Sequence, residues 1–358
     1  MKLEGIDISR ISTRRNLMQS ARWARAKRRQ GAEVRPFWLR SRFGEGSALV
    51  ILQGYTETHR AAYLPWGPDL DVPADEQGAF LEELSEQLRR RLPDDLAFLR
   101  FDLPWRSPFD REAQEEEGPR QMQPVALPPA WIRSTRLNFG TSRHKLRKAP
   151  TDLQPTDTVL IDLTLPDAEL LARMRPKTRY NLRLAARRGV EVREEGTESL
   201  PEWYGLYRQT MARSNTTLHD YRHFAGLFCL PNDREVGLHL LMARHQGEAI
   251  AGIILAIAGD YAVYLYGASG NAGRRHMPTY LLQWEGMTLA RRLGADRYDL
   301  FGVPSDPSPA HPMHGLLRFK TGFGGQVITR RGCWDYPLEL DVYSRVSGQE
   351  LAAPGYHR

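Results

Sequence analysis

The chain has 358 residues, too many for one ordinary hydrophobic core and comfortable for two domains, and its 41% hydrophobic content suffices for globular packing. Its 50 Lys and Arg residues outnumber 43 Asp and Glu, and the formal net charge of +7 favours anionic partners such as nucleic acid, nucleotides or a membrane surface. Two cysteines exclude a disulfide framework, and the most apolar run, Ala249–Ala258, has about half the ~20 residues of a membrane-spanning helix, so we expect a cytoplasmic protein.

The first 155 residues are predicted to alternate helices and strands and to end in a linker. Asn16–Gln30 has the pattern of a helix, and Glu76–Leu92 that of an amphipathic helix, because apolar residues recur at every fourth position. Ala97–Phe101 is a predicted strand that leads to Asp102. Ser142–Pro155 is basic and then bounded by proline, which makes it the best candidate for an interdomain linker.

The rest of the chain continues this alternation. A helix over Asp167–Met174 is followed by a second one that Pro176 can begin and Gly189 can end. The mixture of elements predicts an α/β or α+β protein with a mixed sheet. The further predicted elements are the helices Glu202–Ser214 and Thr279–Leu293 and the strands Gly237–Arg244, Ala249–Ala258, Tyr261–Gly267 and Asp296–Phe301.

The predicted helix that begins at Pro176 lies in an unusually basic segment. The segment Arg173–Arg188 holds seven Lys and Arg residues and no acid. Arg179, Arg183 and Arg187 lie four apart and line one ridge, where like charges destabilise a helix by roughly 0.2–0.5 kcal/mol per pair. An ordinary solvated face is the alternative, but the lack of compensating acids favours contact with phosphates.

The segment Tyr298–Gly325 carries the main prediction of chemistry. Its first residues are typical of the end of a buried strand, and four prolines between positions 304 and 312 then exclude a helix. Lys320 follows renewed apolar residues and directly precedes Thr-Gly-Phe-Gly-Gly. A cation beside flexible backbone suits a developing negative charge, and the alternative is a loop with a solvated lysine.

A strand, a loop and a helix over Tyr261–Leu293 resemble the central motif of the GNAT acyltransferase fold, in which two strands splay and a helix begins at the gap. The loop Ser269–Pro278 lacks the sequence that usually binds coenzyme A, so the fold is expected without the coenzyme. The His and Asp residues near position 310 lack the spacing of metal ligands, and no metal is expected.

Four motifs, in order, resemble those of the Fem family of aminoacyl-tRNA-dependent peptidyltransferases. Leu17–Lys27 resembles its N-terminal Gln-Ser-x-x-Trp-x-x-x-Lys helix, and Tyr63–Asp71 resembles its Gly-Pro turn. Leu171–Val192 resembles its basic segment, and Tyr298–Gly325 its closing Tyr-Asp-Leu-x-Gly strand with a Phe-Lys-x-x-Phe-Gly-Gly element. The resemblance covers most of the chain and points to the compact members, which lack a coiled-coil hairpin.

This resemblance implies two GNAT-like domains, the second inserted so that the chain ends in the first. Domain 1 would take residues 1–155 and 331–358, and domain 2 residues 156–330. The implied activity is an aminoacyltransferase that moves an amino acid from aminoacyl-tRNA to the side-chain amine of a peptidoglycan stem peptide. The acceptor would be UDP-MurNAc-pentapeptide or its lipid-linked form. No cofactor is implied, and we expect a monomer that can contact the inner face of the membrane.

The resemblance also assigns residues to the acceptor. Lys27 matches a lysine that holds the acceptor's phosphates. Arg100 and Asp102 match an Arg-x-Asp pair near the acceptor amine, and Tyr264 and Tyr266 match tyrosines that line the acceptor channel.

The chain departs from the family pattern at two points. The arginine expected near His219–Tyr221 is absent, so Arg213 or Arg222 is expected to bind the acceptor in its place. Phe301 replaces a glycine at the end of the Tyr-Asp-Leu strand, which would narrow the cleft.

Lys320 matches the lysine that meets the aminoacyl-tRNA end. The implied reaction is aminolysis of an ester, in which Asp102 would guide the proton of the acceptor amine and Lys320 would stabilise the oxyanion. Two alternatives remain, a GNAT N-acyltransferase that uses acyl-CoA and a non-catalytic RNA-binding protein. The cations expected to contact tRNA are Lys177, Arg179, Arg183 and Arg187.

Overall fold

The computed structural model describes most of the chain and divides into two compact units. Of the described residues, the first unit takes 1–157 and 328–352, and the second takes 158–327. The end of predicted domain 1, residues 353–358, lies outside the described part. The described residues are 1–13, 15–117, 124–214, 218–230, 232 and 235–352.

The first unit contains a mixed sheet with the order β1-β2-β3-β4-β5-β13. Neighbouring strands are antiparallel except β4 and β5, which are parallel. β5 runs through Asp102 and Pro104, beyond its predicted end. The strands are β1 (Lys2–Gly5), β2 (Glu33–Ser41), β3 (Gly44–Gly54), β4 (Arg60–Leu64), β5 (Leu96–Arg106), β6 (Arg147–Lys148), which pairs with β13, and β13 (Gln326–Pro337).

Helices cover this sheet through apolar faces. The regular spacing of Phe80, Leu84 and Leu88 in α2 buries one face in a core with Leu99 and Phe101 of β5. Apolar side chains of α11 pack with Phe98 in a second, smaller hydrophobic cluster. The helices are α1 (Ala21–Arg29), α2 (Gln77–Arg89), α3 (Pro108–Glu117), α4 (Ala130–Leu137) and α11 (Leu340–Ala352).

The second unit contains a mixed sheet with the order β7-β12-β11-β10-β9-β8. Its strands are β7 (Asp157–Asp162), β8 (Val190–Glu195), β9 (Val236–His245), β10 (Glu248–Ala258), β11 (Tyr261–Ser269) and β12 (Arg297–Gly302). Its helices are α5 (Asp167–Arg173), α6 (Pro176–Arg187), α7 (Leu200–Ser214), α8 (Tyr221–Leu227), α9 (Pro278–Arg292) and α10 (His314–Thr321).

Two strands of this second sheet separate, and the gap positions the candidate site. β11 and β12 are parallel, and their register covers only Tyr261–Val263 against Arg297–Asp299. The pairing of β10 with β11 has a register shift between Ile254 and Leu255 of β10. Beyond these residues β11 and β12 continue without pairing to each other, and α9 follows β11.

The predicted mixed sheet is confirmed, and most predicted elements exist with shifted ends. The N-terminal helix begins at Ala21, because the Ser20 hydroxyl accepts a hydrogen bond from the Trp23 N–H and caps it there. α6 begins at Pro176 as predicted, and Gly189 follows it with φ +70°. None of the helices in the described residues is long and apolar enough to cross a membrane.

Candidate active site

Lys320 lies in the gap between β11 and β12. It belongs to α10, which begins at His314, so the alternative of a solvated loop lysine is wrong: the prolines end at Pro312, two residues before the helix. The side chain is only 5% exposed. Its ammonium nitrogen donates to the carbonyl oxygen of Phe301 at 3.1 Å and to that of Gly302 at 2.7 Å. Lys320 is therefore held by backbone at the end of β12.

The end of β12 has an unusual backbone that makes this contact. Phe301 has φ +59°, a conformation that few side chains other than those of Asn and Asp adopt. Its N–H donates to a carboxylate oxygen of Asp299 at 2.7 Å. That carboxylate also accepts hydrogen bonds from the hydroxyls of Tyr261, at 2.8 Å, and Thr158. The buried Asp299 thus fixes the turn whose carbonyls hold Lys320.

Burial changes the acid–base behaviour of Lys320. Desolvation lowers the pKa of its ammonium to about 7, although the nearby Asp299 opposes the shift. Both protonation states are therefore populated near neutral pH. The nitrogen also lies 5.5 Å from the ring centre of Tyr264, which provides a cation–π contact for the charged form.

The two predicted channel tyrosines lie on β11 just beyond its pairing with β12. Tyr264 faces Lys320, and burial raises the pKa of its hydroxyl to about 12. A Cβ at Gly267 would stand 1.8 Å from that hydroxyl, so glycine is needed for this close approach. The Tyr266 hydroxyl bonds Nε2 of His223 at 2.9 Å. Around Tyr266 lies an aromatic cluster of Tyr207, His219, His223 and Phe224.

The two candidate replacement arginines have different surroundings. Arg213, near the end of α7, is exposed and donates to the carbonyl oxygen of Ser269 at 3.2 Å and to the amide oxygen of Asn271 at 2.7 Å. Arg213 is thereby tied to the end of β11, which carries Tyr264 and Tyr266. Arg222 is exposed in the first turn of α8, one residue before His223. Arg213 is the better placed of the two beside β11.

Asp102 lies in the first unit and is buried. It is 1% exposed, and one carboxylate oxygen accepts a hydrogen bond from the Tyr63 hydroxyl at 3.0 Å. Burial, reinforced by repulsion from Asp152, raises the pKa of Asp102 to about 7, and the hydrogen bond from Tyr63 opposes this. The carboxyl group is therefore a far better proton acceptor near neutral pH than an ordinary aspartate.

Arg100 has a structural environment that sequence reasoning missed. It pairs with Asp335 of β13 and with Glu350 of α11, and it also donates to the Tyr55 hydroxyl. These contacts use all five of its N–H donors. No N–H group of Arg100 is left to bind the acceptor substrate, so we infer that Arg100 anchors α11 on the sheet, and its role at the acceptor stays a prediction.

Lys27 lies half-buried on α1. Its nitrogen stands 4.9 Å from the ring centre of Trp23 and 3.3 Å from the amide oxygen of Gln30, and burial lowers its pKa. Another side of α1 faces an open groove of about 370 Å³. The groove is lined by Asp7, Ile8, Ser9, Arg25, Arg28 and Arg29. The Lys27 side chain therefore lies apart from the other cations of its helix.

The basic ridge of α6 divides into two kinds of arginine. Arg179 donates to the carbonyl oxygens of Leu171, at 3.1 Å, and Ala172, at 3.0 Å, so it caps the end of α5. Arg183, Arg187 and Lys177 are exposed. The predicted tRNA surface therefore keeps these three cations, while Arg179 holds two helices together.

Sequence reasoning missed Asp299, which fixes the turn that holds Lys320, and Tyr63, which donates a hydrogen bond to Asp102. Both stand inside motifs that the sequence displays, Tyr298–Gly325 and Tyr63–Asp71. An acid immediately after a buried strand residue was the available signal for Asp299. Lys320 belongs to the second unit and Asp102 to the first.

Comparison with known proteins gives a consistent result. The model of the FemAB family matches residues 9–235 and 232–346. A lipid II:glycine glycyltransferase of Staphylococcus epidermidis is 24% identical over 254 residues, which are 54% of this chain and 61% of that protein. The protein of the same name from Staphylococcus aureus is 25% identical over 259 residues, covering 54% and 62%. The chain thus spans about three-fifths of the length of these relatives.

Among solved structures, the crystal structure of FemX resembles this chain with a TM-score of 0.76 at 19% identity. The likeness covers 97% of this chain and 100% of FemX. It confirms the predicted fold class, a mixed α/β protein built from GNAT-like domains.

Proposed function

The chain belongs to the FemAB family, and on this premise we propose that it transfers an amino acid from an aminoacyl-tRNA to the side-chain amine of a peptidoglycan precursor. The observation that carries the proposal is the buried amine of Lys320 in the gap between β11 and β12, held by two backbone carbonyls. The relatives named as lipid II:glycine glycyltransferases support the reaction class and the acceptor.

The proposed step is aminolysis. The neutral acceptor amine attacks the carbonyl carbon of the aminoacyl ester, a C–N bond forms, and the C–O bond to the ribose breaks. The ribose oxygen leaves with a proton, and the amine loses one. During attack the carbonyl oxygen gathers negative charge, which a preorganised cation stabilises more strongly in a water-poor site than in water.

Lys320 is proposed to supply that cation. Two of its three N–H groups are directed to Phe301 and Gly302, which leaves the third for the developing oxyanion. The low dielectric that lowers its pKa also strengthens its attraction to an anion. In the transition state the developing oxyanion gives the desolvated ammonium of Lys320 a partner of opposite charge. The attraction between them therefore increases as the reaction proceeds.

Asp102 is proposed to act as a positioning and proton-accepting group behind Tyr63. Its direct contact is with the Tyr63 hydroxyl, and its pKa of about 7 makes proton uptake feasible at neutral pH. Because the proposed active form has Asp102 deprotonated and Lys320 protonated, the rate should follow a bell-shaped pH profile near pH 7, and loss of the rising limb in Asp102→Asn supports the role. An unchanged profile in that variant would exclude it.

The other contacts are proposed from their positions in each unit. Lys27 is proposed to hold the acceptor's phosphates. Tyr264, Tyr266 and Arg213 are proposed to line the path of the stem peptide.

The exposed cations of α6 are proposed to contact the tRNA backbone, because they form a cationic surface on that helix. They are Lys177, Arg183 and Arg187.

The test is a transfer assay with purified protein, a pool of charged tRNAs and either the soluble UDP-linked or the lipid-linked precursor. We expect the precursor to gain the mass of one aminoacyl residue, and ribonuclease treatment of the tRNA to abolish the gain. Turnover that requires acyl-CoA and ignores charged tRNA would overturn the proposal. Binding of tRNA with no transfer to any precursor would favour an RNA-binding protein instead.

A further inference from the structure

Two aromatic side chains at the ends of α4 are exposed on the first unit. Trp131 is 69% exposed and Phe139, two residues beyond the helix, is 81% exposed. Trp131 lies in the first turn of α4 and Phe139 follows the helix, whereas Leu137 at the end of the helix is buried. Single exposed apolar residues are common, but two large exposed aromatics in one short segment indicate an interaction surface.

The chain around these aromatics is cationic. Residues 130–148 contain six Lys and Arg residues and no Asp or Glu. Arg136 pairs with Glu112 at 2.9 Å, Arg143 lies 3.4 Å from Glu86, and Lys148 is buried against Asp152. Glu82 accepts hydrogen bonds from the N–H groups of Ser142 and Arg143. Among the described residues, Lys145 and Arg147 have no acidic partner within salt-bridge distance, so these two cations carry the unpaired positive charge of the surface.

We propose that this surface, defined by Trp131, Phe139, Lys145 and Arg147, docks on a bilayer that displays anionic headgroups. Aromatic side chains favour the boundary between headgroups and acyl chains, and nearby cations are attracted to anionic lipid. α4 has eight residues, about 12 Å of helix, which is short for a stable protein interface of ~800 Å² per partner. Docking on an anionic lipid bilayer does not require a protein interface of this area.

The inference goes beyond the proposed function, because docking requires no transfer chemistry. It also bears on that function, since an enzyme held at the membrane reaches a lipid-linked acceptor more readily than a soluble one. The two claims can therefore fail separately.

The first experiment measures co-sedimentation of the full chain with vesicles. One set contains phosphatidylglycerol mixed with phosphatidylcholine, and the other contains phosphatidylcholine alone. We expect binding to the anionic set that weakens with salt. The double variant Trp131→Ser/Phe139→Ser should bind on the order of tenfold or more weakly, because it loses both inserted side chains. Lys145→Glu/Arg147→Glu should lose the preference for anionic vesicles.

The matched control is Leu340→Ser, which removes a 60% exposed side chain at the start of α11 and should leave vesicle binding unchanged. Circular dichroism checks that each variant is folded. Wild-type protein that ignores anionic vesicles, or variants that bind as wild type, would overturn the inference. A wild-type dimer that Trp131→Ser/Phe139→Ser converts to monomer would also overturn it, by identifying a second copy as the occupant.

A second arm separates this inference from the proposed function. With an active enzyme, the aromatic double variant should lose transfer to a vesicle-embedded precursor and keep transfer to the soluble UDP-linked precursor. If neither protein transfers an amino acid while vesicle binding still depends on Trp131 and Phe139, the docking surface stands and the proposed function fails.

Discussion

The carbonyl oxygen of Phe301 accepts a hydrogen bond from the buried amine of Lys320 at 3.1 Å, and Phe301 makes this contact from a left-handed backbone with φ +59°. A residue whose backbone is strained and a lysine whose charge is desolvated therefore stabilise each other's position. Both features cost stability, and both are common at functional sites.

This pairing gives the first prediction. Phe301→Gly should keep transfer within a few-fold and unfold within about 1 kcal/mol of wild type, because glycine adopts the left-handed region without strain. Phe301→Val should destabilise by a further ~1–2 kcal/mol and lower kcat, because a β-branched residue resists φ +59° and moves the carbonyl that holds Lys320. Urea unfolding and steady-state kinetics measure both effects. Equal tolerance of glycine and valine would show that the backbone conformation does not matter.

The second prediction concerns stability and pH. Because folding lowers the pKa of Lys320 from 10.5 to about 7, burying this lysine costs stability that grows as the pH falls from 10.5 to 7 and reaches its full value below 7. Lys320→Met should therefore raise the melting temperature at pH 6 and much less at pH 10, while it abolishes transfer. Thermal unfolding at both pH values measures this. A lysine that merely stabilised the fold would give the opposite result, a variant that is less stable at pH 6.

The third prediction separates the arginines of α6. Arg183→Ala/Arg187→Ala should leave stability unchanged and reduce the slope of log K against log salt for tRNA binding by up to about two units. Arg179→Ala should instead destabilise the protein, because the carbonyls at the end of α5 lose their donor. Binding titrations over a range of salt, with denaturation of each variant, distinguish the two. A salt-independent affinity in wild type would exclude a phosphate contact.

The fourth prediction tests the acceptor side. Lys27→Ala should raise the KM for the phosphate-bearing acceptor about tenfold or more and leave the KM for tRNA within twofold. Arg28→Ala is the matched control: it removes a cation from the same helix, on the side that faces the groove with Asp7. Equal effects of the two substitutions would mean that only the net charge of α1 matters.

The sequence predicted local features well because they depend on neighbouring residues. Pro176 and Gly189 mark the start and the end of α6, and the motif around Lys320 identified a residue that the fold places in a gap between strands. Tertiary contacts were beyond sequence reasoning. The partners of Arg100 lie 235 and 250 residues away. The capping role of Arg179 likewise depends on how α5 and α6 pack.

The most direct test of the proposed function is the kcat of Lys320→Ala for transfer from aminoacyl-tRNA to the precursor, measured on protein shown to be folded. The account predicts a loss of roughly two to three orders of magnitude with the acceptor KM nearly unchanged, because the lysine acts on the developing oxyanion. Lys320→Arg should recover little, since a planar guanidinium does not fit the position of a compact ammonium between Phe301 and Gly302. A folded Lys320→Ala protein with near-normal kcat would contradict the account.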